Sequence, residues 1–470
     1  MTVSDRSDRN YLLTRSLEPM NFGTGNHAWR SLSALGRSRT YQYGLLIVLL
    51  ALIDFARDPA ALIYPPLHWE DGRDYFAFYY NSTTFTDLFR SKVGFMSLWA
   101  NLIGFLGSKC PTPATPYVLS LGPFFLALFT QSTFFQERYR TMVVSDFVRF
   151  LTCLAIALDP TGDMLLLANT DYSIWNCLLL VILYGLAEFP RSFTAAHLLV
   201  FLLVSWSHPL AVLVIPLLLY RCYRDRARWP IYLVLVMSLT AYSMVGVRPM
   251  APLSLWRGLE AVPATLHHVA ALVFRTWFSR DLLCIAEKEW PYLIYVTFAG
   301  CAWLVYACWK RRRDATGLLG SVYAIFALSF LAFLGRSVPS VFEKVPYTSR
   351  YLYVQSVLSI IVIFPCLVCL LAVRLRERPL LGNFRWPQEG CCFLVLSYVW
   401  LMNLTPMNAR AYMNDHHDYG KRVREFCLQL YRLEERNGSR DNIKLTMQRE
   451  DQWPIEIDRT KHGQVPASLP

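Results

Sequence analysis

Charged residues are scarce in this chain. Asp, Glu, Lys and Arg together make up 17% of its 470 residues, against about a quarter in an ordinary soluble protein. With 54% hydrophobic residues and a mean hydropathy of +0.29, that scarcity argues against a string of soluble domains. A glycine-rich nucleotide-binding loop, an internal repeat and a low-complexity tract are all missing. So is a cleavable signal, because residues 1–40 are polar and rich in Arg and Ser rather than apolar. Metal-ligand cysteine spacing is missing too. The 12 cysteines fall mostly inside apolar runs, and Cys366-x-x-Cys369 and Cys391-Cys392 read as small buried hydrophobes.

Apolar runs of the length that crosses a bilayer, about 20 residues, recur from Gly44 to about Leu404. The net charge of +12 does not indicate a nucleic-acid partner, because the basic residues gather between those runs. Arg221, Arg224, Arg226 and Arg228 form one group, Lys310 to Arg313 a second, and Arg374, Arg376 and Arg378 a third. Cytoplasmic loops carry this excess. Fixing these groups inside gives an all-α polytopic membrane protein of about 11 spans.

The predicted organisation is a cytoplasmic N-terminal tail over 1–43, a transmembrane domain over 44–404 and a small outer C-terminal element over 405–470. The first span starts at Gly44 and exits outward. Val93 to Leu106 is short and holds Asn101 and two glycines, so it reads either as an interfacial or re-entrant helix or as a true span. The run from Ala195 to Tyr220 must break at Ser207-His208-Pro209 if the Arg221 group is to stay inside. In the tail, the spacing of Val423, Phe426, Leu428, Leu430 and Leu433 predicts an amphipathic helix.

The first outer loop holds Leu67-His68-Trp69-Glu70-Asp71-Gly72-Arg73-Asp74-Tyr75-Phe76. Two readings compete for its three acids. They are solvated side chains of an interfacial loop, or carboxylates held at the membrane surface. The second kind acts as a general base on a hydroxyl or holds a divalent metal facing a phosphate. Asp163 and Asp171, in the next outer segment, are candidates to position an acceptor or metal, as is His208 at the helix break. A later outer segment carries Arg336, Lys344, Arg350 and Tyr351. Basic residues there run against the inside bias, and a phosphate is a good reason for them.

Glu70-Asp71-Gly72 after the first span, a short helix over Lys92 to Gly107 and Arg350-Tyr351 before a late span resemble the C-type-fold (GT-C) sugar transferases. The likeness is to a bacterial group with Glu-Asp-Gly in its first outer loop. The resemblance implies an inverting glycosyltransferase that moves a sugar from a polyprenyl-phosphate donor to a glycan, glycolipid or protein acceptor at the outer face of a bacterial inner membrane. It implies Asp71 or Glu70 as base, with Asp74 next, and a donor phosphate held by Arg350, Lys344, Tyr351 and Arg336. A divalent cation, Mg or Mn, is the cofactor such a site admits. Unlike the large members of that class, this chain has no substantial soluble C-terminal domain. The alternatives are a transporter or flippase of lipid-linked glycans and an O-antigen-type polymerase.

Overall fold

The computed structural model describes residues 39–57, 59–67, 71–81, 84–92, 94–159, 167–187, 195–246, 255–278, 280–310, 316–336, 349–377, 409–437, 443–449 and 452–458. Helices dominate. In chain order they are α1 (Arg39–Arg57), α2 (Leu98–Lys109), α3 (Thr115–Thr133), α4 (Asp146–Ala157), α5 (Ile174–Leu186), α6 (Ala195–Ser205), α7 (Ile215–Arg224) and α8 (Trp229–Val245). There follow α9 (Leu255–Trp277), α10 (Arg280–Glu289), α11 (Pro291–Lys310), α12 (Thr316–Arg336), α13 (Ser349–Glu377) and α14 (Ala409–Asn437). Two small antiparallel hairpins complete the fold, β1 (Ser91–Lys92) with β2 (Phe95–Met96) and β3 (Lys444–Arg449) with β4 (Gln452–Asp458).

The bundle is organised around α5. Its sequence, IWNCLLLVILYGL, is apolar on every face, and all of its residues are buried. A helix that is hydrophobic all round belongs in the middle of a protein, and α5 packs against α3, α6, α12 and α13. By contrast α1 turns Leu45, Val48 and Leu52 outward, each more than half exposed. Lipid chains are the surroundings that tolerate such a face.

The expectation of about 11 spans is corrected here. Among the described residues three stretches are long and apolar enough to cross a membrane, namely Arg39–Arg57, Thr112–Thr141 and Pro291–Lys310. Five further apolar stretches, within α5, α6, α8, α12 and α13, hold 10–17 described residues each. The reason is that several apolar runs are broken. The 13 residues of α5 rise about 20 Å, short of a hydrocarbon core of about 30 Å. The run over 195–220 is split between α6 and α7 by a 3-10 turn, Pro209–Val214, whose first residue is a proline. The 12 residues of α2 also fall short of a crossing. The span predicted over 391–402 lies outside the described residues, as does the tail before Arg39.

At one end of the bundle Arg39 and Arg140 pair with Glu137 and Asp146. Arg149, wholly buried, is taken up by Asp146 and by the Val143 carbonyl at 2.8 Å. The 19 residues of α1 rise about 28 Å from there. At the far end Arg57 donates to the carbonyls of Ala157 and Asp159. A second apolar core forms at this far end. Tyr75, Phe76, Tyr79 and Tyr80 of the acidic segment meet Tyr419, Val423, Phe426 and Leu430 of α14, with Ile455 and Ile457 of β4. The Tyr419 hydroxyl donates to the Leu67 carbonyl at 3.0 Å, and Tyr80 and Thr112 both donate to Glu434 at 2.6 Å. The C-terminal element is therefore the rear wall of the acidic segment.

Close backbone approach fixes this joint. A Cβ on Gly420 would collide with the Tyr64 carbonyl oxygen, whereas a Cβ on Gly44 would meet nothing within 4 Å. Gly420→Ala is expected to destabilise the protein by about 1–3 kcal/mol, and Gly44→Ala in α1 to stabilise it by about 0.5–1 kcal/mol. Thermal unfolding in detergent checks both. Equal midpoints for the two variants would refute this docking.

Candidate functional site

The segment Asp71–Ala77 winds in wide π-type turns and buries Asp71, Gly72, Asp74, Tyr75, Phe76 and Ala77. Such turns are rare and occur mostly at functional positions. Asp71, 2% exposed, points at the turn that precedes α5. Its Oδ2 accepts the Thr170 N–H at 3.0 Å and its Oδ1 the Asp171 N–H at 3.1 Å. That turn is secured elsewhere as well. The Asn169 side chain accepts the Tyr172 N–H at 2.9 Å, and the Thr170 hydroxyl donates to the Leu119 carbonyl at 2.6 Å.

A third segment completes the site. The β1–β2 hairpin turns through Gly94 at φ 87°, a backbone region that glycine enters without strain. Just before that turn Lys92 reaches across the site. Its Nζ lies 3.0 Å from Asp74 Oδ2 and 2.7 Å from Asp171 Oδ1, and it sits over the Tyr75 ring at 4.9 Å. Arg73 clasps Asp74 with two bonds, at 2.8 and 3.0 Å. The Tyr75 hydroxyl donates to Asp171 Oδ1 at 3.0 Å. Both donors thus converge on one oxygen of Asp171. Among the described residues nothing bonds its Oδ2, and the side chain is 18% exposed.

The charges nearly balance. Arg73 and Lys92 face Asp74 and Asp171, so a charged Asp71 would be a third, uncompensated negative group. Burial pushes the Asp71 carboxyl well above the usual carboxylate range. The Thr170 and Asp171 N–H groups oppose that shift, the Asp171 charge adds to it, and the net direction is upward. For Asp74 burial also pushes upward, but Arg73 and Lys92 outweigh it and hold that carboxyl below its ordinary value. Burial and the neighbouring carboxylates raise the Tyr75 hydroxyl, so it stays protonated as a donor.

His208, 3% exposed, opens the 3-10 turn beside the start of α5. Its ring lies 4.6 Å from Trp175 and 6.3 Å from Phe95. The start of α13 reaches the same place. The Tyr353 hydroxyl donates to Asn176 Oδ1 at 2.9 Å, and Ser356 donates to Asp159 Oδ1 at 2.9 Å. Arg350 and Tyr351 lie on the first turn of α13, and Arg336 is the last residue of α12. The first turn of α13 therefore stands at the end of the bundle that holds Asp171.

Of the residues singled out from sequence, Asp71, Asp74 and Asp171 come together. His208 is linked to them through Trp175 and Phe95. Glu70, Asp163 and Lys344 lie outside the described residues. Lys92 and Tyr75 belong to the site, and sequence reasoning missed both. Lys92 carried one usable signal: it is a cation close to an acidic segment, on the side that the charge bias leaves poor in bases. Among the described residues no group of three or more His, Cys, Asp or Glu side chains is arranged to hold a metal ion. Asp74 and Asp171 already neutralise Lys92 and Arg73. No protein family, curated protein or solved structure matches the chain.

The raised Asp71 carboxyl sets a pH dependence. The folded chain holds this proton more tightly than the unfolded chain, so its contribution to stability falls as pH rises from the ordinary carboxylate range toward the raised value. Asp71→Asn removes this titration and one good acceptor, at a cost of about 1–3 kcal/mol. The melting-temperature gap between wild type and Asp71→Asn is expected to be widest at acid pH and to shrink as pH rises. Unfolding followed from pH 4.5 to 8 measures it, and a gap that widens with pH would reverse the assignment.

Proposed function

We propose that this protein is a membrane glycosyltransferase that moves a sugar from a polyprenyl-phosphate donor to a hydroxyl acceptor. One observation carries the reading. A carboxylate with an open oxygen, Asp171, is pinned beside a cation at the end of an apolar helical bundle, where the first turn of α13 brings Arg350. A donor whose lipid tail lies among apolar helices presents its sugar phosphate at such an end.

In this mechanism the acceptor hydroxyl oxygen attacks the anomeric carbon from the face opposite the phosphate. The new C–O bond forms as the bond from the anomeric carbon to the phosphate oxygen breaks. The bonding pair leaves with polyprenyl phosphate, and the configuration inverts. Asp171 Oδ2 takes the hydroxyl proton. This moves the base from Asp71, whose two oxygens are committed to the turn, to the carboxylate that Asp71 holds in place. Asp71 is then a positioning residue, with Asp74 behind it setting Lys92. Lys92 faces the negative charge that develops on the leaving phosphate, and Arg350, Tyr351, Arg336 and Lys344 are the further residues proposed for the donor phosphate from their place in the sequence. Among the described residues the site carboxylates are paired with cations rather than grouped as metal ligands, and the steps above use the side chains alone.

The polarity of the bundle supports an active site at the outer face of a bacterial inner membrane. Arg39 and Arg140 collect at the end of the bundle opposite Asp171. Glycan, glycolipid and protein acceptors all present the hydroxyl that this chemistry needs.

The test is release of polyprenyl phosphate by purified protein in detergent, with a panel of polyprenyl-phosphate sugars and an envelope extract as acceptor. Asp171→Asn is expected to lower turnover by about 10²–10⁴-fold, the contribution typical of general-base catalysis, while its unfolding midpoint stays near that of wild type. Turnover at the wild-type rate in Asp171→Asn would overturn the base assignment. A folded wild type that neither binds nor turns over any donor in the panel would overturn the transferase reading.

A further inference from the structure

Helix α1 turns one narrow stripe into the bundle, Leu46, Leu50 and Asp54, and all three side chains are wholly buried. They follow one another every four residues, so they lie on one face of the helix. Two are leucines and the third is an acid. An ionisable side chain inside a stretch that is long and apolar enough to cross a membrane is costly, and its partner shows what it is for.

That partner is Gln131 on α3, itself buried. The Gln131 amide Nε2 donates to Asp54 Oδ1 at 3.5 Å. Among the described residues the second oxygen of each side chain, Asp54 Oδ2 and Gln131 Oε1, is buried and has no hydrogen-bond partner. When Asp54 is ionised both of these atoms are acceptors, and two buried acceptors without a donor are unfavourable. The pair is short of one hydrogen. The N–H contact is also long for a bond to a charged carboxylate, which ordinarily measures about 2.7–2.9 Å.

The elements around the pair supply little charge. Helix α3 and the turn Pro59–Ile63 carry no charged residue. On α4, Asp146 and Arg149 stand at the other end of the bundle and pair with each other. The charged and titratable groups that face Asp54 are Arg57 on its own helix, Asp159 just past α4, and Tyr353 on α13. Arg57 turns its two terminal nitrogens to the carbonyls of Ala157 and Asp159, at 2.7 and 2.9 Å. Those bonds tie the end of α1 to the end of α4, and among the described residues no cation bonds either oxygen of Asp54.

We infer that α1 and α3 enclose a proton-binding site, in which Asp54 carries a proton on Oδ2 and shares it with Gln131 Oε1. The two side chains then close an acid–amide pair, with one N–H and one O–H crossing in opposite directions. Asp54 is neutral in this state, and Arg57 is left to the carbonyls at the end of α4. Loss of the proton would place a carboxylate three residues from Arg57, within reach on the same helix, where it competes for the guanidinium. The bound proton therefore keeps α1 tied to α4. This site stands apart from the transferase reading, because Asp54 takes no part in the sugar transfer.

Infrared difference spectra of the purified full chain in detergent at neutral pH test it. Wild type minus Asp54→Asn is expected to show the C=O stretch of one protonated carboxylic acid, and that band is expected to persist in Asp71→Asn. In Gln131→Leu it is expected to move to higher frequency, as a carbonyl does when it loses a hydrogen bond. In unfolding experiments the midpoint shifts of Asp54→Asn and Arg57→Gln are expected to add in the double variant, because a neutral Asp54 makes no ion pair with Arg57. The proton site is overturned if the difference spectrum shows a carboxylate stretch instead, or if Arg57→Gln loses its effect when Asp54 is already asparagine. Failure of Asp54→Asn to fold would overturn it too, since asparagine can complete both bonds without a proton. A band that stays in place in Gln131→Leu would overturn the pairing with Gln131.

Discussion

Asp71 spends both carboxyl oxygens on backbone N–H groups that lie 99 and 100 residues further along the chain. The rest of the site hangs on that clamp. It fixes the turn of Asn169 to Ser173, which sets where α5 begins. It therefore sets Asp171 at the turn, Trp175 and Asn176 on the first turn of α5, and through them the contacts to His208 and Tyr353. The cost is the burial of a carboxyl. That burial pushes its pKa upward, while Lys92 and Arg73 are matched to Asp74 and Asp171.

The same division of labour appears in the packing. The acidic segment has two faces. One presents Asp71 and Asp74 to the turn and the hairpin. The other presents Phe76 and Tyr80 to α14, where Phe76 lies 6.3 Å from Phe426 and Tyr80 donates to Glu434. Wide π-type winding lets a seven-residue stretch serve both. Stiffness on the apolar side keeps the polar side in register with the turn and the hairpin.

Some of this was legible in the sequence for physical reasons. Three acids among aromatic residues just past an apolar run mark the segment by composition. The break at Ser207-His208-Pro209 follows from proline chemistry. The helix of the tail follows from its spaced apolar residues, of which Val423, Phe426, Leu430 and Leu433 pack on the second core. The span number did not follow, because apolar composition does not separate a lipid-facing helix such as α1 from an interior helix such as α5. Nor did Lys92 and Tyr75, whose roles depend on Asp171, 79 and 96 residues away. Local patterns carry no information about pairings at that distance. The grip of Asp71 on the Thr170 and Asp171 N–H groups was equally hidden, since it joins positions 99 and 100 residues apart.

One consequence follows from chain order. The acidic segment and the turn it grips are synthesised early, but their rear wall is the stretch from Ala409 to Asp458, near the end of the chain. At about 5–20 residues per second, a ribosome needs tens of seconds to go from the turn to that wall. For that interval the aromatic side chains have Ala100, Ile103 and Leu119 beside them but lack the part of their core that α14 and β4 supply. Insertion of the early helices and completion of this second core are thus separate events in time.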